Sequence, residues 1–166
     1  MIDCSLCVEK ICLLIRFYLV LMFGNVQSSQ PVGGNGGVAH EFGQPNYSLV
    51  AIRGRCGGAI DALQCLFVDI NTGQFVESGR YGGNGGGDFE YPAPPGAWID
   101  CIRCTTRSNV VASIQVQSSN GDMSREFGDS KNPQGQGECN AKGGRICGLK
   151  VRCGSLLDNV SFQYTR

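Results

Sequence analysis

The chain has 166 residues, 42% of them hydrophobic, and balances 14 Lys plus Arg against 14 Asp plus Glu. That length is one domain's worth, and that apolar share is enough to build a core, which excludes a wholly disordered chain. A formal net charge of zero leaves no field to recruit nucleic acid or an anionic membrane surface.

In chain order the first element is an apolar run, FYLVLMFG (17–24), preceded by Lys10 and Arg16. With small Ser28 after it and Val26 two positions earlier, residues 1–28 read as a secretory signal peptide cut after Ser28. The run is too short to span a bilayer, which takes about 20 residues, so secretion is expected and membrane insertion is not. Beyond the cut lie Cys56, Cys65, Cys101, Cys104, Cys139, Cys147 and Cys153. They fit an oxidising compartment and disulfide bonds of open connectivity, and their odd number predicts at least one free or intermolecular thiol. Cys56 and Cys153 read as structural, either bridged or buried as small apolar groups. CIRC (101–104) has no second CxxC, and His40 is the single histidine, so no metal site is expected. Asn46 and Asn159 open glycosylation sequons that a secretory route would present.

No helical period is sustained after residue 30. Instead SLVAIRGRC, VVASIQVQ, GLKVRC and NVSFQY alternate at period two between Gly, Pro, Asn and Ser, which reads as half-buried strands of an all-β fold. RCGGAID (55–61) returns as RCGSLLD (152–158), each flanked by such strands, and IRCTTRSNVVASIQVQ (102–117) lies between them in the same phase. Gly57, Ser108 and Gly154 mark a period near 50 residues. The loops GGNGG (33–37) and YGGNGGGD (81–88) keep that beat, and a weaker third, NPQGQGECNAKGG (132–144), falls where the next is due. A period of that size means three stacked units, none of which buries its face alone. The 25 glycines, about twice ordinary usage, gather in these loops, where the backbone adopts dihedrals or approaches that a Cβ forbids.

The openings GGNGGVAHEF and YGGNGGGDFEYPAPPGAWIDCIRC, with the closing ICGLKVRCGSLLDNVSFQY, resemble the jacalin-related lectins over residues 31–166. The resemblance implies a β-prism I fold, three Greek-key four-stranded sheets about a pseudo-threefold axis. It also implies carbohydrate binding through a GxxxD turn beside a glycine loop, with no metal, no cofactor and no catalysis. Carried onto this chain, one site comprises Gly154, Ser155, Leu156, Leu157 and Asp158 with Gly33, Gly34 and Gly37. A second comprises Gly57, Gly58, Ala59, Ile60 and Asp61 with Gly82, Gly83 and Gly86. The middle turn, Ser108 to Ala112, has no carboxylate, so a third site is expected to be dead. In the family, galactose binding accompanies a cut that frees the amino group of the first loop's glycine. Here Ser29, Gln30, Pro31 and Val32 would still precede Gly33, so the resemblance implies glycan or glycoprotein partners of the mannose/glucose type. Two sites, or a homo-oligomer, would supply avidity.

Such a site has a plain chemical logic. An ionised carboxylate accepts two vicinal hydroxyls at once through charge-assisted bonds, and glycine lets backbone close on a sugar ring. The bland alternative makes Asp61 and Asp158 turn caps, in a structural or protein-interaction prism with decayed sugar sites. Calcium is disfavoured because Asp88 falls one place late for the nonapeptide repeat and no tandem copies follow. An enzyme is disfavoured by the lone histidine and the absence of a GxSxG elbow. Trp98 and Tyr91 read as core or sheet-edge residues rather than sugar platforms, and His40 as a strand residue.

Overall fold

The computed structural model describes residues 25–166, so the signal-peptide reading lies outside the described residues up to position 24. The chain enters on three short strands, β1 (Val26–Ser28), β2 (Val32–Gly33) and β3 (Val38–Gly43), before the long hairpin β4 (Tyr47–Cys56) and β5 (Ile60–Asp69). Short β6 (Phe75–Glu77), β7 (Tyr81–Gly82) and β8 (Gly87–Pro92) lead to the hairpin β9 (Ile99–Arg107) and β10 (Val110–Ser118). Then β11 (Phe127–Gly128) and β12 (Gly135–Asn140) lead to the last hairpin, β13 (Arg145–Cys153) and β14 (Leu157–Thr165). No helix occurs among the described residues.

Each hairpin is the centre of an antiparallel sheet. The orders are β6-β5-β4-β8, β11-β10-β9-β12 and β1-β14-β13-β3, with β7 also on β5 and β2 also on β14. Two of the four-stranded sheets therefore carry a short fifth strand. The last sheet joins the first and last described strands, which closes the three-sided prism that the resemblance implies. Inward positions of the hairpins alternate with outward polar ones, as in β5, where Ile60, Leu63, Cys65 and Phe67 are wholly buried. They meet Leu49, Ile52, Ile99, Ile102, Ile114, Ile146, Leu149 and Leu157 in one core. Each such side chain contributes about 1.5–3 kcal/mol by leaving water.

One serine per sheet braces a long strand. Ser29 Oγ accepts from the Phe162 amide at 3.0 Å, Ser78 Oγ from Cys65 at 2.9 Å, and Ser124 Oγ from Val116 at 3.0 Å. In each case the serine N–H donates back to the carbonyl of that same residue, at 2.8, 2.9 and 2.9 Å. The sheet thus includes residues ahead of position 31. A cut after Ser28 would remove β1, which pairs Val26, Gln27 and Ser28 with Thr165, Tyr164 and Gln163.

All seven described cysteines are free thiols, so the disulfides expected from their number are not formed. Six are buried and Cys56 is half-buried, and Cys65, Cys104, Cys139 and Cys153 belong to the apolar core. They fill space as small hydrophobes. Burial pushes Cys104 and Cys139 up to about 12 and Cys101 and Cys147 up to about 11, and raises Cys65 and Cys153 as well. A thiol reagent at pH 8, read by peptide mapping, is expected to leave these six unlabelled until denaturant is added; rapid native labelling of any would contradict the burial. The unfolded thiols ionise near 9.0 and the folded ones later. Their contribution to stability is therefore complete below about pH 9 and is lost as pH rises towards 12.

Candidate functional site

The repeated motif acquires its meaning from strand register. In the last hairpin Arg152 pairs with Asn159 and Cys153 with Leu157, which leaves Asp158 as the extra residue of a β-bulge. In the first hairpin Arg55 pairs with Ala62 and Cys56 with Ile60, which leaves Asp61. A bulge bends its strand and re-aims the extra side chain. Asp158 is thereby laid on the first glycine loop. A Cβ on Gly36 would stand 2.7 Å from its Oδ1, and one on Gly37 2.6 Å from its Oδ2. The Asp158 carbonyl accepts from the Gly34 amide at 2.8 Å, and a Cβ on Gly33 would collide with that same oxygen. Asp61 repeats the arrangement with the second loop. Its carbonyl accepts from Gly83 at 2.8 Å, its Oδ1 would meet a Cβ on Gly85, and its Oδ2 one on Gly86 at 2.6 Å.

Both predicted pairings of turn with loop are therefore brought together. Gly57, Gly58, Gly154 and Ser155 are exposed at the turns, and Ala59 and Leu156 are half-buried. Ile60 and Leu157 are wholly buried, so their side chains belong to the core and only their backbone faces the turn. Gly36 and Gly85, absent from the predicted set, lie directly against the carboxylates.

The arginine of each motif is the larger omission. Arg152 donates from Nε to the carbonyls of Asn35 and Gly36, at 3.2 and 2.9 Å, and from Nη2 to Gly37 at 2.9 Å. Arg55 donates from Nε to Gly85 at 2.8 Å, from Nη2 to Gly86 at 2.6 Å, and from Nη1 to the Asp88 carboxylate at 2.7 Å. A guanidinium offers five donors in a fixed fork, so it can gather successive carbonyls that a lysine cannot. The recurrence of Arg in both copies of RCG was the available signal. Arg152→Lys is expected to keep the fold, as read by thermal melting, while weakening any ligand of the first loop about tenfold, or about 1.4 kcal/mol. Unchanged affinity would remove Arg152 from the account. Asn159 also serves the loop, donating from Nδ2 to Gly34 O at 3.0 Å, so this sequon amide is already engaged.

The middle hairpin leaves Ala112 at the bulge, between the pairs Thr105–Ser113 and Thr106–Val111. Its loop is not 132–144, as glycine content suggested, but 128–132. Asp129 N donates to Ala112 O at 3.0 Å, and Asn132, at φ 52°, adopts the conformation that Gly37 and Gly86 hold at 66° and 64°. Glycine count misled because Asn also tolerates the left-handed region. With no carboxylate at the bulge, Arg107 closes this station, donating to Asp129 Oδ2 and Lys131 O at 3.1 Å and to Gly58 O at 2.6 Å. The Lys131 amide and Arg107 hold the Asp129 carboxyl below the usual range.

The turns also wall one another's stations. Asn109 O accepts from Gly34 N at 3.1 Å, and the middle turn bounds a cleft of about 580 Å³ with Gly33, Asn35, Gly36 and Asp158. Ser155 of the last turn packs against Gly83 of the second loop. The aromatic residues lie elsewhere. Trp98 Nε1 donates to Gly144 O at 2.9 Å, Tyr91 donates to Asp122 Oδ2 at 2.8 Å, and His40 stacks on Tyr81 at 4.9 Å. No group of three or more His, Cys, Asp or Glu able to hold a metal occurs among the described residues.

A family description of the jacalin-like lectin domain matches residues 29–163. Horcolin from Hordeum vulgare subsp. vulgare is 24% identical over 139 residues, covering 81% of this chain and 94% of horcolin. The solved structure of AcmJRL, a mannose-binding jacalin-related lectin from Ananas comosus, aligns with a TM-score of 0.74 at 28% identity, over 84% of this chain and 97% of that one. Artocarpin in complex with mannotriose aligns at 0.74 and 17% identity, over 86% and 99%, a likeness of fold alone.

Proposed function

The chain belongs to the jacalin-like lectin domain family, carbohydrate-binding proteins rather than enzymes, and from that premise we propose that it binds mannose- or glucose-type glycans at two metal-independent sites. One observation carries the reading: Asp158 and Asp61 are both aimed by a bulge onto a glycine loop with no room for a Cβ at Gly33, Gly36 and Gly37, or at Gly82, Gly85 and Gly86. A turn-capping role explains neither the loop's approach nor the arginine clamp behind it. In each site the carboxylate accepts two hydroxyls of one sugar, and loop and turn backbone line the ring. The mannose preference is supported by the mannose binding of AcmJRL and by the residues that precede Gly33 in the folded chain. Glycans and glycoproteins are the partners, and the two sites on one chain supply avidity to single sites of about millimolar affinity.

The rival, a protein-interaction prism with decayed sites, describes the middle station alone, where Arg107 and Asp129 occupy the space. A glycan-array screen separates the two. Binding to mannose- or glucose-terminated glycans that survives a chelator supports the proposal. Galactose binding would overturn the specificity, and silence from a folded chain would favour the rival.

A further inference from the structure

The end of the prism opposite the glycine loops carries a cleft that this function does not use. It has a volume of about 540 Å³, within the range of small-molecule sites, and lies where the starts of the hairpins meet. Val50, Val68, Ile70 and Ala97 give it an apolar lining, and Trp98 forms part of its wall. Ile70 is 42% exposed and Trp98 36%, so the lining faces solvent. The Trp98 indole is held by its bond to Gly144 O, which fixes the ring plane.

Arg145 stands in the same cleft, at the start of β13. The other described arginines all have a hydrogen-bond acceptor or an aromatic ring in contact. Arg145 has neither among the described residues, and its Nε is the only buried side-chain nitrogen or oxygen there without a partner. A buried guanidinium donor is costly to leave unpaired. Nε itself is shielded from solvent, so a ligand would meet the Nη end of the guanidinium, which has no hydrogen-bond acceptor among the described residues. That end beside an apolar, aromatic lining matches a ligand with an apolar body and one anionic oxygen group, whose two oxygens accept from the two Nη groups.

We propose that this cleft binds a small amphiphilic acid, its flat apolar body against Trp98 and Ile70 and its carboxylate on Arg145. Trp98 is the single tryptophan of the chain, so its emission reports this cleft alone. The test titrates the full chain with 1-anilinonaphthalene-8-sulfonate and, in parallel, with uncharged N-phenyl-1-naphthylamine. Saturable quenching of Trp98 at one equivalent of the sulfonate is expected, with affinity about tenfold above the neutral probe. Arg145→Gln is expected to erase that difference while leaving the neutral probe's affinity unchanged, and excess methyl α-mannoside is expected not to compete. Equal affinity for the two probes in the unaltered chain would overturn the proposal, whether or not the variant folds. So would an undiminished preference for the sulfonate in a folded Arg145→Gln chain. Neither result depends on whether the glycine-loop sites bind sugar.

Discussion

Asp158→Asn is expected to abolish measurable glycan binding at the first site without disturbing the fold, and Asp61→Asn to do the same at the second. Asparagine preserves the shape of the side chain, so the bulge and its contact with Gly36 and Gly37 survive. What is lost is the charge. A hydrogen bond to an ionised group is worth about 1.5–3 kcal/mol, so removing the charge from a carboxylate that accepts two hydroxyls lowers affinity about 10- to 150-fold. From a millimolar start that is beyond detection for a monosaccharide. Each single variant should retain one site and lose avidity, and the double variant should be silent on an array while melting as the unaltered chain does. Calorimetric titration gives the stoichiometry directly, one site in each single variant. A folded double variant that binds like the original would reduce both aspartates to turn caps.

The largest effect on stability is expected from the loop, in Gly33→Ala. Gly33 sits at φ +127°, outside even the left-handed region that Asn tolerates, and a Cβ there would strike Asp158 O and lie 2.8 Å from Asn159 Cα. Both neighbours are backbone, fixed by the pairing of Gly33 with Asn159 that seats β2 on β14. Nothing flexible can give way. A loss above about 3 kcal/mol is expected, in the class of changes that force backbone apart. Gly73→Ala is the control. It has positive φ, +72°, but open space around it, and should cost only the intrinsic left-handed penalty of about 1–2 kcal/mol. Urea melts of the pair separate strain from collision. If the two variants lose equal stability, the loop does not seat on the bulge carbonyl as described.

Much of this was legible beforehand because it is local. Alternation in SLVAIRGRC and VVASIQVQ needs only the pleat of a strand to be read, and the phase of RCGGAID and RCGSLLD marked two like turns. The pairing of each turn with its glycine loop came from the resemblance. It could not have come from spacing, since Gly34 and Asp158 meet only when the first and last described strands join one sheet. The cysteines misled for the same reason. Their number suggested bridges, but which face of a strand a thiol occupies, and whether another lies opposite, depends on sheet order.

By itself, then, the amino-acid sequence determined the strands, the recurrence of RCGGAID as RCGSLLD and the residue types at the two turns. Periodicity and propensity act over a few residues, and a recurring motif is visible without a fold. Only the tertiary structure decided that Asp61 and Asp158 are bulge residues, that Arg55 and Arg152 gather the loop carbonyls, that the third loop is 128–132, and that Arg145 lines the far cleft without a partner among the described residues. Register and sheet closure settle each of these, because a shift of one residue in a ladder turns a side chain from the site to the core.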